Sequence, residues 1–367
     1  MKRLLHFILL CFISVMLTGC IMDDLEQEAA MVDVSISVSL TDAASTRAYE
    51  DAQNGNEMMH TLRIVIVRNE RDGLVEHNRF IDLTRPLTRY GLEKFEVLAN
   101  ELKYIYFFVN EESTNFHGND NLNFKNDITE GQPFPYDKLK NAKVVLGINE
   151  NSGIKTVQQM PTPLPMNSLY SLQVGNLSLT KTFWVTRAAT KFTYILKNNN
   201  SNDYKLTGLE ISEQAVAEHY MQHLNGDIPV WSTENDDILN GEEFNEDNTP
   251  LEGTNTNYYS YYQDFSSAVN VPAGGQVQLT PIYLAETKKF NDDKYQEGDK
   301  FYKTTLYFHP FTSFTGKLDD DLPHQLPRNT HVVITVNINQ GDLTWEVDVF
   351  PYIGVDLNPD FGLETNS

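Results

Sequence analysis

The sequence predicts an all-β chain built as two β-sandwiches in tandem. Three observations lead there. Apolar residues alternate with polar ones in many short runs, clusters of Asn, Gly, Pro and Asp separate those runs, and helical periodicity is nearly absent. At 367 residues the chain is too long for one small core, which argues for two domains of ordinary size.

The first segment stands apart from this pattern. Met1-Lys2-Arg3 is a charged start, Leu4 to Leu17 is an apolar run too short to span a bilayer, and Thr18-Gly19-Cys20 closes it with small residues before a cysteine. Leu17-Thr18-Gly19-Cys20 matches the lipobox of bacterial lipoproteins, so residues 1–19 are expected to be a removable signal and Cys20 the lipid-bearing first residue. The other cysteine, Cys11, falls inside the discarded run, which leaves no intrachain disulfide to staple the fold. Residues 20–31 form an acidic tether carrying Asp23, Asp24, Glu26 and Glu28. They fit either a surface-export signal or a plain solvated stretch.

The expected first domain covers residues 32–182. Val32, Val34, Ile36, Val38 and Leu40 alternate with Asp33, Ser35, Ser37 and Ser39, the pattern of a half-buried strand. Leu62 to Val67 and Tyr104 to Val109 are denser and read as central strands covered on both faces. Phe95 to Leu98 and Val144 to Leu146 are shorter candidates, and Phe116 to Asn126 and Gly131 to Pro135 read as loops. Three prolines between Met160 and Met166 interrupt the pattern before Tyr170 to Val174 resumes it.

A second domain, residues 183–367, is expected to open at Phe183 to Leu196. Its further strand runs are Tyr204 to Ile211, Val269 to Val271, Val277 to Tyr283, Tyr302 to Phe308, Val332 to Ile338 and Leu343 to Val349. Glu234 to Asn257 is a polar insertion rich in Asn, Asp and Glu, and Ser212 to Leu224 is the one stretch that reads as helix.

Composition narrows the chemistry. The formal net charge is −23, and losing Lys2 and Arg3 with the signal makes it more negative, which argues against nucleic acid and anionic membrane surfaces as partners. His219 and His223 stand four apart, as a helical metal pair would. The zinc-protease order needs Glu after the first His, where Tyr220 stands, and no third ligand presents itself, so no metal site is expected. Asp319-Asp320-Asp321 and Asp292 to Asp299 lack the spacing of a calcium loop. Tyr258, Tyr259, Tyr261, Tyr262 and Phe265 suit either an edge strand or a surface for carbohydrate or a protein partner. There is no Gly-rich phosphate loop and no Gly-x-Ser-x-Gly elbow, and no cysteine remains for nucleophilic work; neither enzyme activity nor a cofactor is expected.

Two segments carry a mechanism when taken together. Strand Val32 to Leu40 is followed by the small, polar linker Thr41 to Asn56, with one basic residue, Arg47, for a trypsin-like protease to read before Ala48. Cutting there releases the lipid, the tether and the strand, and leaves an unpaired sheet edge that templates strand addition. The tail 351–363 presents a matching alternation. Ile353, Val355 and Leu357 are bracketed by Pro351 and Pro359, and Phe361 and Leu363 keep the parity.

On these features the chain resembles the fimbrillin family, the subunits of the type V pili of Bacteroidetes. The features are Leu17 to Cys20, Thr46-Arg47-Ala48, Leu62 to Val67, Arg187-Ala188-Ala189-Thr190-Lys191, Trp345 to Val349 and Pro359-Asp360-Phe361-Gly362. The resemblance spans nearly the whole chain in motifs that are each short. It implies two transthyretin-like β-sandwich domains and lipoprotein export to the outer membrane and cell surface. It further implies trimming by an Arg-specific protease at Arg47 and polymerisation with other pilus subunits by donor-strand exchange. In that scheme Val32, Val34, Ile36, Val38 and Leu40 are displaced, and Ile353, Val355, Leu357 and Phe361 are donated. The alternative is a surface lipoprotein that does not polymerise, either an uncut pilus anchor or an adhesin for glycan or host protein.

Overall fold

The computed structural model describes residues 30–40, 55–114, 122–151, 154–214, 216–221, 231–232, 259–285, 304–309, 314–316, 328–340 and 342–351. The chain is all-β. Among the described residues no helix is long and apolar enough to cross a membrane.

The first sheet starts with β1 (Met31–Leu40), whose five alternating apolar residues all turn inward. A 3-10 turn, Gly55–Glu57, leads into β2 (Met59–Arg68), followed by β3 (Val75–Leu87), β4 (Arg89–Leu98) and β5 (Leu102–Val109). Asparagines make the tight reversals: Asn69, Asn100 and Asn110 sit at φ 62, 59 and 55, in the left-handed region that asparagine tolerates better than most residues. Two short helices come next. In α1 (Phe124–Asp127) the side chain of Asn123 caps the first turn by accepting from the Lys125 and Asn126 amides; α2 is Tyr136–Asn141. Then follow β6 (Lys143–Val145), β7 (Ile148–Asn151), β8 (Ile154–Val157), β9 (Met166–Gln173) and β10 (Leu179–Arg187).

The order across this sheet is β3-β2-β5-β9-β10-β1-β4. It folds over at β10, which pairs with β1 through Leu179 to Val185 and with β9 only at Thr186 and Arg187. The two leaves face each other across an aromatic core, with Phe183 of β10 packed 5.1 Å from Phe107 and 5.0 Å from Tyr170 between ring centroids.

The second half supplies β11 (Thr190–Asn198), β12 (Tyr204–Gln214), β13 (Ala217–His219), β14 (Trp231–Ser232), β15 (Tyr259–Val271), β16 (Gln276–Gln278) and β17 (Ile282–Leu284). It continues with β18 (Thr304–His309), β19 (Phe314–Gly316), β20 (Thr330–Asn339) and β21 (Asp342–Pro351). One sheet runs β16-β11-β20-β21, with β17 on the same edge of β11 as β16. β11 and β20 are buried along nearly their whole length, as the apolar runs predict for central strands. The facing sheet runs β19-β18-β12-β15-β8-β7, and Tyr194 of β11 meets Thr304 of β18 by a 3.0 Å hydroxyl contact between the two.

Three features differ from the expectations above or bear on them. The stretch Ser212 to Leu224 is not a helix where it is described: β12 continues to Gln214, and β13 pairs antiparallel with β6 (Glu218 opposite Val144). Pairing with a strand far away in sequence overrides a weak local preference. Residue 182, the expected boundary, lies within β10 of the first sheet. β7 and β8, from the first half, extend the sheet of the second through Thr156 opposite Ser260 and Val157 opposite Tyr261. The polar insertion Glu234 to Asn257 lies outside the described residues.

Candidate functional site

β1 is not an edge strand. It lies between β4, antiparallel, and β10, parallel, with Val34 opposite both Phe95 and Leu179. The ladder is continued past both ends, where the Ala99 amide donates to Ala30 O (2.8 Å) and the Leu40 amide to Thr88 O (3.0 Å). Val32, Val34, Ile36, Val38 and Leu40 are 8, 1, 0, 0 and 3% exposed. The walls of the seat are apolar too, with Phe95 and Val97 buried on β4 and Phe183 and Val185 on β10.

The polar positions of β1 add register more than strength. Ser37 Oγ lies 2.7 Å from Thr182 Oγ1 of β10, and Asp33 pairs with Lys94 of β4 at 2.7 Å. That ion pair is well exposed and contributes little. Burial of the apolar side chains holds the strand in place. At about 1.5–3 kcal/mol for each apolar side chain, the five together amount to something on the order of 10 kcal/mol. That is comparable to the whole stability of a typical domain. The seat that β1 fills is thus bounded by a ladder edge on either side and floored by apolar side chains.

β4 depends on this arrangement. It ends the sheet, and among the described residues β1 is its only ladder partner. Its other side is held by side chains of β3. Glu76 Oε1 accepts from the Leu98 amide (2.7 Å), and His77 Nε2 donates to Glu96 O (2.7 Å). Arg79 pairs with Glu93 and lies over the Phe95 ring, 5.1 Å from its centroid, and the His77 ring sits 5.3 Å from the same centroid.

Just beyond the linker the chain is fastened by buried charge. Glu57, 2% exposed, accepts from Lys191 Nζ (2.8 Å) and the Tyr283 hydroxyl (2.7 Å), and Arg187 Nη2 approaches its carbonyl (3.5 Å). Burial pushes the Glu57 carboxyl up. The charges of Lys191 and Arg187, with the bonds from Lys191 and Tyr283, outweigh that and hold it below the ordinary carboxylate value. Both cations come from the Arg187 to Lys191 motif, where the bend Ala188-Ala189 carries the chain from β10 into β11. Buried Arg328 braces that bend, donating from Nη1 to His219 O (2.9 Å) and Tyr220 O (2.8 Å) and from Nε to Arg187 O (3.3 Å). Nothing in local spacing singled out Glu57 or Arg328, because their partners are far away in sequence.

The remaining candidates divide. Of the tyrosine patch, Tyr261 is buried on β15 and Tyr262 points outward, making an edge contact with Tyr307 (6.3 Å) whose hydroxyl donates to Glu210 (2.9 Å). One residue faces the core and the next faces out, as strand alternation requires; Tyr258 lies outside the described residues. His219 sits on β13, not on a helix, so the four-residue spacing to His223, itself outside the described residues, does not define a shared face. Among the described residues no cluster of His, Cys, Asp and Glu is arranged to hold a metal ion. Cys20, Arg47 and Ala48, and the tail positions Ile353, Val355, Leu357 and Phe361, also lie outside the described residues.

No family model and no curated protein matches the chain. Solved structures do. The tip fimbrial protein Mfa3 of Porphyromonas gingivalis, in a C-terminally truncated form, is 11% identical with a TM-score of 0.48, over 88% of this chain and 99% of that one. A candidate cell adhesion protein of Parabacteroides distasonis is 12% identical with a TM-score of 0.48, covering 89% and 98%. A fimbrilin (fimA) of Porphyromonas gingivalis is 10% identical with a TM-score of 0.45, covering 88% and 98%.

Proposed function

We propose that the chain is a structural subunit of a surface pilus, exported as a lipoprotein precursor and assembled by protease-triggered strand exchange. The observation that carries this reading is the placement of β1. A strand that begins right after the acidic tether and runs straight into a linker holding Arg47 is also the middle strand of a leaf, with five apolar residues buried. A first strand that merely finishes a sandwich needs no cuttable connection. Here one cut in the linker separates the strand and its lipid from the rest of the chain.

In the mechanism, Cys20 and its lipid deliver the precursor to the outer membrane while β1 fills its own seat and prevents premature pairing. An Arg-specific protease cuts between Arg47 and Ala48. β1 then leaves, and the tail of another subunit adds its backbone between β4 and β10, placing Ile353, Val355, Leu357 and Phe361 in the positions that β1 occupied. The fimbrillin resemblance of the sequence supports this order of events, with two transthyretin-like sandwich domains as the subunit body.

Limited trypsin treatment of the purified precursor tests the scheme. The expected result is a cut at Arg47 followed by a ladder of SDS-resistant multimers, and loss of the ladder when residues 352–367 are deleted. Monomers that persist after cutting contradict it.

A further inference from the structure

We propose that β3 acts as a clamp on β4, through Glu76, His77 and Arg79, and keeps the seat of β1 open after β1 has gone. The inference rests on the reading of β1 as a removable strand and adds how the vacated seat keeps its shape.

Removing β1 affects its two neighbours unequally. β10 keeps its pairing with β9 at Thr186 and Arg187 and runs directly into the bend held by Glu57 and Arg328. β4 loses its only ladder among the described residues. A ten-residue strand with no ladder partner falls off its sheet unless something else fixes it, and a replacement strand would then find one wall missing. The connection to β3 through Thr88 fixes one end of β4 only.

The contacts from β3 are distributed to solve this. Arg79–Glu93, His77–Glu96 O and Glu76–Leu98 N engage every second or third residue of β4 from its middle to its far end. Two of them act on the β4 backbone itself. Arg79 and His77 also pack against Phe95, the residue opposite Val34 at the centre of the seat. Glu76 is itself anchored, 2.7 Å from Lys103, which is 1% exposed and also bonds Glu101 (2.9 Å). The clamp thus draws on β5 as well as β3 and makes no use of β1. It leaves the β1-facing edge of β4 free for whichever strand comes next.

The test uses the full-length chain with a sequence-specific protease site in place of residues 45–49, so that cutting does not depend on Arg47. After cutting, β1 is stripped in mild urea and washed away, and a labelled peptide of residues 30–42 is titrated back. The clamp predicts that the stripped protein stays folded and rebinds the peptide. In the double variant H77A/R79A the intact precursor melts within a few degrees of wild type, while the peptide binds the stripped protein about tenfold or more weakly. If that variant fails to fold as precursor, H77A alone serves, with a loss of about threefold. Unfolding of the wild-type remainder when β1 is stripped, inability to release β1 short of global unfolding, or equal peptide affinity in the variant each overturns the proposal. Titrating a peptide of residues 352–367 into the same stripped protein separates the two ideas. If it fails to bind where 30–42 binds, the clamp stands and the strand-exchange reading fails.

Discussion

Glu57 carries one of the most buried charges in the chain, and its protonation is linked to folding. Its carboxyl pKa is lower in the folded chain than the unfolded value of about 4.3. A depressed carboxylate contributes stability that is present in full above the unfolded pKa and is lost as pH falls through the folded one. Acidification below about pH 4 should therefore erode the joint between the start of β2 and the entry to β11. In Glu57→Gln that part of the acid slope disappears, and Lys191 is left buried beside a neutral amide. At pH 7 the variant should be less stable by about 3–5 kcal/mol, with the gap closing toward pH 3. Melting temperatures between pH 2.5 and 7 check this. A gap of constant size across that range contradicts it.

At the scale of elements, β1 and the strands around it show what the sequence can and cannot say. β2 and β5 were legible because dense apolar runs leave few alternatives to a central strand. β1 was legible from strict alternation, and its inward set is the one the pattern names. β3 was not, because all of Val75–Leu87 except Val75 is exposed or only partly buried and its polar residues act through side-chain contacts with β4. β8 and β13 escaped for another reason: each is fixed by a partner remote in sequence, which no local pattern encodes, and among the described residues β7 is held only by pairing with β8. The burial of Ile36, 0% exposed, gives a test at this scale. Ile36→Ala should cost the intact precursor about 2–5 kcal/mol. Because the lost contacts are those that retain β1, multimers should also appear earlier in a trypsin time course than with wild type. An unchanged rate would mean that the departure of β1 does not limit assembly.

For the molecule as a whole, the proposed mechanism joins parts that lie far apart in the sequence. Cys20 and the tether precede β1, Arg47 follows it, and the tail that is expected to replace it begins where β21 ends at Pro351. The all-β class and most strands could be read from period and turn chemistry. The way the two halves share strands could not, and neither could the buried charges at Glu57 and Arg328, since both depend on pairing across long sequence distances. The central claim is that β1 is a temporary occupant of its seat, held until a cut at Arg47 lets another subunit take its place. The most direct measurement is the N-terminus of the protein recovered from surface multimers, by sequencing and mass spectrometry. Strand exchange predicts an unmodified Ala48. A lipid-bearing Cys20 in those multimers, with β1 still attached, would contradict it.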